Sequence, residues 1–123
     1  MPPGVFISKH EKLTADYLAE KLYKDVTFLV PDRRRGAKTP DILMDGVKWE
    51  IKCPKGRSSR TIENNLRAAL KQSRNIVIDL RRMDGRIPTK RHINEISKQF
   101  EKSKIIKKLI VVTRDNENID LSR

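Results

Sequence analysis

Pro40-Asp41-Ile42-Leu43-Met44-Asp45-Gly46-Val47-Lys48-Trp49-Glu50-Ile51-Lys52 is the stretch on which the fold turns. Two alternating runs flank Asp45-Gly46, a dipeptide suited to the two-residue type I′ turn, in which both central residues take positive φ. With that pair as the loop, Met44 opposes Val47, Leu43 opposes Lys48, Ile42 opposes Trp49 and Asp41 opposes Glu50. Side chains alternate along a strand, so Ile42, Met44, Val47, Trp49 and Ile51 share one face, and Asp41, Leu43, Lys48, Glu50 and Lys52 share the other. The first face reads as core. The second reads as a water-facing face that carries the chemistry.

Upstream of the hairpin, Ser8-Lys9-His10-Glu11 has the form of a capping box, and Ala15, Leu18, Ala19 and Leu22 follow at helical spacing, which predicts a helix from about Lys9 to Tyr23. Val26 to Val30 reads as a strand ended by Pro31, and Asp32 to Thr39 as a basic loop whose Arg33-Arg34-Arg35 run stays in solvent or meets phosphate. Downstream, Lys55-Gly56-Arg57-Ser58-Ser59-Arg60 is a second basic loop. Thr61 reads as the N-cap of a helix with Ile62, Leu66, Ala69 and Leu70 on one stripe and Asn75 at its end. Ile76 to Leu80 is a buried-type strand, Thr89 to Ser103 a third helix through Ile93, Ile96 and Phe100, and Leu109 to Val112 a last core strand. The ends, 1–7 and 114–123, read as flexible or peripheral, with a short hairpin expected through Ile119 and Leu121. The order α-β-β-β-α-β-α-β predicts one α/β domain over 1–123, a mixed sheet flanked by helices.

A chain of 123 residues supports one core rather than two. Its net charge of +12 favours an anionic partner, most commonly nucleic acid, although ribosomal and chromatin-type binders share this balance. The single cysteine, Cys53, excludes an internal disulfide framework and a CxxC zinc site. No apolar run reaches the length of a membrane span, and residues 1–7 lack the pattern of a signal peptide. The expectation is a soluble chain without a membrane partner and with a cytoplasmic site of action, or a piece of a larger, delivered protein.

Directly opposed residues of an antiparallel pair hold their Cβ atoms about 4.5 to 5.5 Å apart, so the register sets the carboxylates of Asp41 and Glu50 side by side. Two like charges in that position make sense around a hard divalent cation, Mg²⁺ or Mn²⁺, which takes one or two carboxylates plus water and phosphate oxygens. Lys52 projects from the same face, where an ammonium can orient an attacking water or offset charge in a phosphoryl transition state. The main-chain carbonyl of Ile51 can face the metal, and Glu11 either completes the capping box or adds a further carboxylate. The bland alternative for Asp41, Glu50 and Lys52 is an exposed sheet face with ordinary ion pairs.

These residues resemble a known family. Pro40-Asp41 followed after a hairpin by Glu50-Ile51-Lys52 is similar to the PD-(D/E)XK nuclease signature, and the α-β-β-β-α-β order resembles that superfamily's restriction-endonuclease-like core from about residue 9 to residue 80. A closer likeness is to the C-terminal tRNA-nuclease domain of contact-dependent growth-inhibition toxins of the CdiA type. It runs through Thr39-Pro40-Asp41-Ile42-Leu43-Met44-Asp45-Gly46 and Trp49-Glu50-Ile51-Lys52, and continues into Asn75-Ile76-Val77-Ile78-Asp79-Leu80. The resemblance implies metal-dependent hydrolysis of a phosphodiester in tRNA, with Asp41 and Glu50 as the metal-binding pair, Lys52 as the catalytic lysine and Glu11 as the helix-one glutamate. It also implies an immunity protein as partner.

Three Phe, two Tyr and one Trp are too few for a broad aromatic platform, so recognition of nucleic acid should rest on shape and phosphate. The residues expected to contact it are Arg33, Arg34, Arg35, Lys38, Lys55, Arg57, Arg60, Arg67 and Gln72. His10 and His92 read as solvated, Trp49 as core, and Cys53 as packing rather than a nucleophile. A DNA nuclease or resolvase on the same scaffold and a non-catalytic nucleic-acid binder are the rival functions.

Overall fold

Asp45 and Gly46 take φ values of 56° and 73°, so the type I′ turn forms and its hairpin has the expected register: Met44 pairs with Val47, Leu43 with Lys48 and Ile42 with Trp49. The structure is a computed structural model that describes residues 8–31, 34, 39–56 and 58–122, with the side chain of residue 59 excepted. Among these residues the order is α1 (Lys9–Lys21), β1 (Val26–Phe28), β2 (Ile42–Met44), β3 (Val47–Lys52), α2 (Ser59–Ala69), β4 (Asn75–Asp79), α3 (Thr89–Lys102), β5 (Lys108–Val112) and β6 (Asn118–Ser122).

The strands form one mixed sheet in the order β1-β2-β3-β4-β5-β6. β1, β2 and β3 are antiparallel, β3, β4 and β5 parallel through the α2 and α3 crossovers, and β6 antiparallel on β5. Alternation divides the core between the two faces. Ile76, Ile78, Leu109 and Val111 pack with Ile62, Leu66 and Ala69 of α2 and Ile96 and Phe100 of α3. Val77, Ile110 and Val112 join Trp49 and Ile51 against Tyr17 and Leu18 of α1. The central strands are covered on both sides, which is why they read as continuous apolar runs.

Several boundaries differ from expectation. α1 stops two residues early because Tyr23 adopts a left-handed φ of 54°, which turns the chain so that the Lys24 N–H reaches the Leu18 carbonyl at 3.3 Å. β1 ends at Phe28, although the Leu29 N–H still donates to the Asp41 carbonyl at 2.9 Å. α2 is capped by Ser58, whose hydroxyl accepts from the Arg60 N–H, so Thr61 falls inside the first turn. The helix ends at Ala69, and Asn75 opens β4 instead of closing α2. The short hairpin expected through Ile119 and Leu121 does form: β6 pairs along the whole of β5 at the sheet edge, and the connecting turn is held where the Thr113 N–H meets the Glu117 carbonyl at 2.8 Å. His92 was expected in solvent but is 1 % exposed on the inner side of α3. Residues 1–7 lie outside the described residues.

Candidate active site

The hairpin carries Glu50 one step past the Ile42–Trp49 pair, opposite Asp41, and the two carboxyl groups come within hydrogen-bonding reach of one another. Asp41 is fixed by the neighbouring strand: its Oδ2 accepts the Ile51 main-chain N–H at 2.8 Å. Lys52 lies on the same side as Glu50, with Nζ 3.6 Å from Glu50 Oε2. Glu50 is not water-facing as the alternation suggested, whereas Asp41 and Lys52 remain part-exposed. Glu50 is 6 % exposed, because its side of β3 is the side on which Ile76 and Ile78 meet α2 and α3. Its Oε1 is buried without a hydrogen-bond partner.

A buried carboxylate beside another acid is costly to ionise. Burial, then the charge of Asp41 and the hydrogen bond with it, push the Glu50 carboxyl up to about 8, while Lys52 acts in the opposite direction and Glu11 adds to the rise. Glu11 itself is raised by burial and by Asp41, against the stabilising hydrogen bonds from Ser8 and the charge of Lys52. The capping box is complete, since the Ser8 hydroxyl accepts the Glu11 N–H at 3.1 Å and the Glu11 carboxylate engages the Ser8 side chain and backbone in return. The same carboxylate feels the charges of Asp41 and Lys52 and adds to the rise of Glu50, so the two roles considered for Glu11 are compatible in space. Among the described residues, no three His, Cys, Asp or Glu side chains converge tightly enough to cage a metal by themselves. Asp41 and Glu50 are the donors available, with other oxygens to be supplied from outside the side-chain set.

The remaining candidates scatter. Lys55 is exposed beyond the end of β3, and Arg60 is exposed in the first turn of α2. Arg34 is exposed in the loop after β1. Arg67 pairs with Glu63 at 2.9 Å on the side of α2 that faces Gln99 and Ser103 of the α3 region, away from the acids. Gln72 sits in the turn after α2, where its N–H donates to the Ala69 carbonyl. Arg33, Arg35, Lys38 and Arg57 lie outside the described residues. Trp49 is core, with its indole N–H on the Met44 carbonyl at 3.1 Å. Cys53 is half-buried, and burial raises its thiol pKa, so it is a poor nucleophile.

One constellation escaped the sequence reading. Asp79, at the end of β4 and 3 % exposed, accepts the Thr14 hydroxyl at 2.7 Å and a two-pronged interaction from Arg81. Arg81 also donates to the Leu13 carbonyl and lies over the Tyr17 ring, 5.2 Å from its centroid. These contacts join α1 to the end of β4 beside the acids. Next to them is a cleft of about 350 Å³ lined by Lys9, His10, Leu13, Cys53, Arg81 and Arg82, with Asp79 at its base. His10 is held below its usual pKa by desolvation and then by the charges of Arg82, Lys9 and Lys55, with Asp79 opposing. The signals in the sequence were a Thr inside the apolar stripe of α1 and an Asp closing a buried-type strand.

Three comparisons bear on this geometry. A sequence model of the family described as the contact-dependent growth inhibition CdiA C-terminal domain matches residues 38–118. The fold is similar to a chain of the CdiA-CT/CdiI toxin and immunity complex from Burkholderia pseudomallei, with a TM-score of 0.71 and 20% identity, covering 100% of this chain and 93% of that one. At that identity the likeness speaks to the fold. No curated protein matches the sequence.

Proposed function

This chain belongs to the contact-dependent growth inhibition CdiA C-terminal domain family, and from that premise we propose that it is a divalent-metal-dependent nuclease of the PD-(D/E)XK type acting on RNA. The observation that carries the proposal is the Asp41–Glu50 pair with Lys52 beside it and an unpartnered buried oxygen on Glu50. A buried polar atom without a partner calls for an explanation. Oxygen donors at the edge of a buried site suit Mg²⁺ or Mn²⁺, which need only one or two carboxylates in addition to water and phosphate oxygens. Asp41, Glu50 and the Ile51 carbonyl are the groups that would hold it. A metal bound there would polarise the phosphodiester and lower the pKa of a bound water.

The chain's own residues then have separable tasks. Asp41 is oriented by the Ile51 N–H, so its free oxygen is presented without a search through rotamers. Glu50 would have to be ionised to hold a cation, and Lys52, 3.6 Å away, would offset that charge and is placed to hydrogen-bond a water or a phosphate oxygen. Glu11, within electrostatic reach of Asp41 and Lys52, would hold a water beside the acid pair or add a carboxylate oxygen to the metal. Lys55, Arg60 and the basic loop containing Arg34 supply phosphate contacts, together with Arg33, Arg35, Lys38 and Arg57 of the same loops.

tRNA is the substrate that the sequence resemblance implies, and cleavage takes place in the cytoplasm of the cell that receives the toxin. An immunity protein is the expected partner, supported by the fact that the similar structure is of a toxin and its immunity protein. No helix among the described residues is long and apolar enough to cross a membrane.

The test is cleavage of total tRNA, duplex DNA and branched DNA by the purified chain with Mg²⁺, Mn²⁺ or EDTA. Metal-dependent cutting of tRNA that is lost in Glu50→Gln and Lys52→Ala supports the proposal. Cutting of DNA alone moves the activity to a DNA nuclease, and binding that survives both substitutions without cleavage by the parent chain reduces the protein to a binder.

A further inference from the structure

The cleft between the start of α1 and the ends of β3 and β4 combines a small apolar surface, Leu13 and Cys53, with cationic side chains and one carboxylate, a mixture suited to a ligand that is part apolar and part anionic. Pockets for small organic groups run from about 300 to 1,000 Å³, with mainly apolar walls and a few fixed polar groups. This one, about 350 Å³, falls at the small end of that range. Its apolar wall is Leu13, which remains 48 % exposed on α1, and the half-buried Cys53. Its cations are Lys9, Arg81 and Arg82, against the single carboxylate of Asp79.

That carboxylate does not oppose an anion as a free acid would. Its oxygens are occupied by the Thr14 hydroxyl at 2.7 Å and by the Arg81 guanidinium at 2.7 to 3.1 Å. Arg81 is therefore a fixed part of the wall, stacked on Tyr17 and bonded to the Leu13 carbonyl. Lys9 and Arg82 remain at the rim, where Arg82 makes a long contact, 3.3 Å, to the Cys53 carbonyl. The pocket also lies beyond the carboxyl ends of the parallel strands β3 and β4, the position at which open α/β sheets commonly receive ligands.

We propose that this cleft is a nucleotide subsite, in which a splayed base lies against Leu13 and Cys53 while its phosphate is held by Lys9 and Arg82. The proposal rests on the nuclease reading for its biological sense, because both walls are chain neighbours of the acidic cluster. His10 precedes Glu11, and Cys53 follows Lys52. A nucleotide held here is one adjacent to the phosphodiester that is cut. Bases extruded from a strand are recognised in this way, through a flat apolar contact plus a few polar groups.

The test uses the intact chain, isotopically labelled, in EDTA, where binding is read without cleavage. Adenosine 5′-monophosphate and inorganic phosphate are titrated separately while backbone amide resonances are followed. The nucleotide is expected to shift the amides of Leu13, Cys53 and Arg82 saturably, and to bind about ten-fold or more tightly than phosphate, the factor that one base contact supplies. Leu13→Asp and Arg82→Ala should each remove about ten-fold of that affinity, and Lys98→Ala on the outer face of α3 none. If Leu13→Asp fails to fold, Leu13→Ser and Arg82→Ala decide. Equal affinity for phosphate and nucleotide, or shifts gathered along α3 instead, overturns the subsite.

The two proposals fail separately. A chain that captures the nucleotide at these amides but cuts no nucleic acid with either metal refutes the nuclease and keeps the subsite. A chain that cuts tRNA with unchanged KM after Leu13→Ser and Arg82→Ala keeps the nuclease and loses the subsite.

Discussion

The Asp41 carboxylate takes the Ile51 main-chain N–H at 2.8 Å, so a side chain does the work of a strand carbonyl at the point where β2 has not yet begun. One oxygen of Asp41 is thereby structural, which leaves the other for chemistry. Asp41→Asn keeps an acceptor for that N–H and removes the charge that raises Glu50. The Glu50 carboxyl, followed by carbon NMR, is expected to titrate below about 8 in this variant. Asp41→Ala should additionally lose about 1 to 3 kcal/mol in urea unfolding, the cost of a charge-assisted bond to a backbone donor.

Glu50 makes stability depend on pH in a direction opposite to that of most carboxylates. Its folded pKa, about 8, lies above the ordinary value of 4.5, so the folded chain binds this proton more tightly than the unfolded chain. The contribution is complete below about pH 4.5 and is lost as pH rises through about 8. In EDTA the melting temperature is expected to fall across that window, and Glu50→Gln should flatten the fall. A parent chain whose melting temperature rises from pH 5 to 8 while the Gln variant behaves identically would show that Glu50 is ionised throughout.

The same proton competes with a cation. Affinity for Mn²⁺, measured by calorimetry, should rise between pH 6 and 8, with close to one proton released per ion at the lower pH. Glu50→Gln should abolish both effects. Binding that is independent of pH would place the ion elsewhere.

Lys52→Ala is expected to lower the cleavage rate by about 10² to 10³, the usual loss on removing one donor to a developing charge, and to change tRNA affinity little. Lys52→Arg should restore little of the rate, because a planar fork cannot occupy the position of a compact ammonium. A larger loss of affinity than of single-turnover rate would make Lys52 a phosphate clamp.

Arg81→Ala leaves Asp79 buried with the Thr14 hydroxyl as a remaining partner. Breaking one side of a buried ion pair costs about 3 to 5 kcal/mol. Arg81 is only partly buried, so the lower end is expected here, read as an earlier urea midpoint. Asp79→Asn with Arg81→Ala together should recover part of the loss, since the uncompensated charge is gone.

The hairpin and the Asp41, Glu50, Lys52 grouping were legible in the sequence because an Asp-Gly turn fixes register locally, between neighbouring strands. The burial of Glu50 was not. Alternation separates two faces of a strand but does not say where a helix will lie across them, and here α2 packs on the Glu50 side of β3 and buries that residue while Lys48 stays exposed. His92 was misplaced for the same reason: an imidazole among Lys90, Arg91 and Asn94 looks solvated until α3 is laid on the sheet. The Thr14–Asp79 bond spans 65 residues, and no local pattern encodes its partner. The end of α1 was missed because Tyr23 takes a left-handed conformation more often given to Gly or Asn.

The positive-φ bend at Asp45-Gly46 also sets an order of events. A two-residue loop closes on the timescale of an isolated hairpin, long before the β3-α2-β4 crossover can deliver its helix. The acids therefore meet while still hydrated, where their repulsion is weak, and it grows as α2 arrives and water leaves. The late step of folding should carry that load: in stopped-flow refolding without metal, the slow phase is expected to be faster at pH 6 than at pH 8 in the parent chain and equal at both in Glu50→Gln.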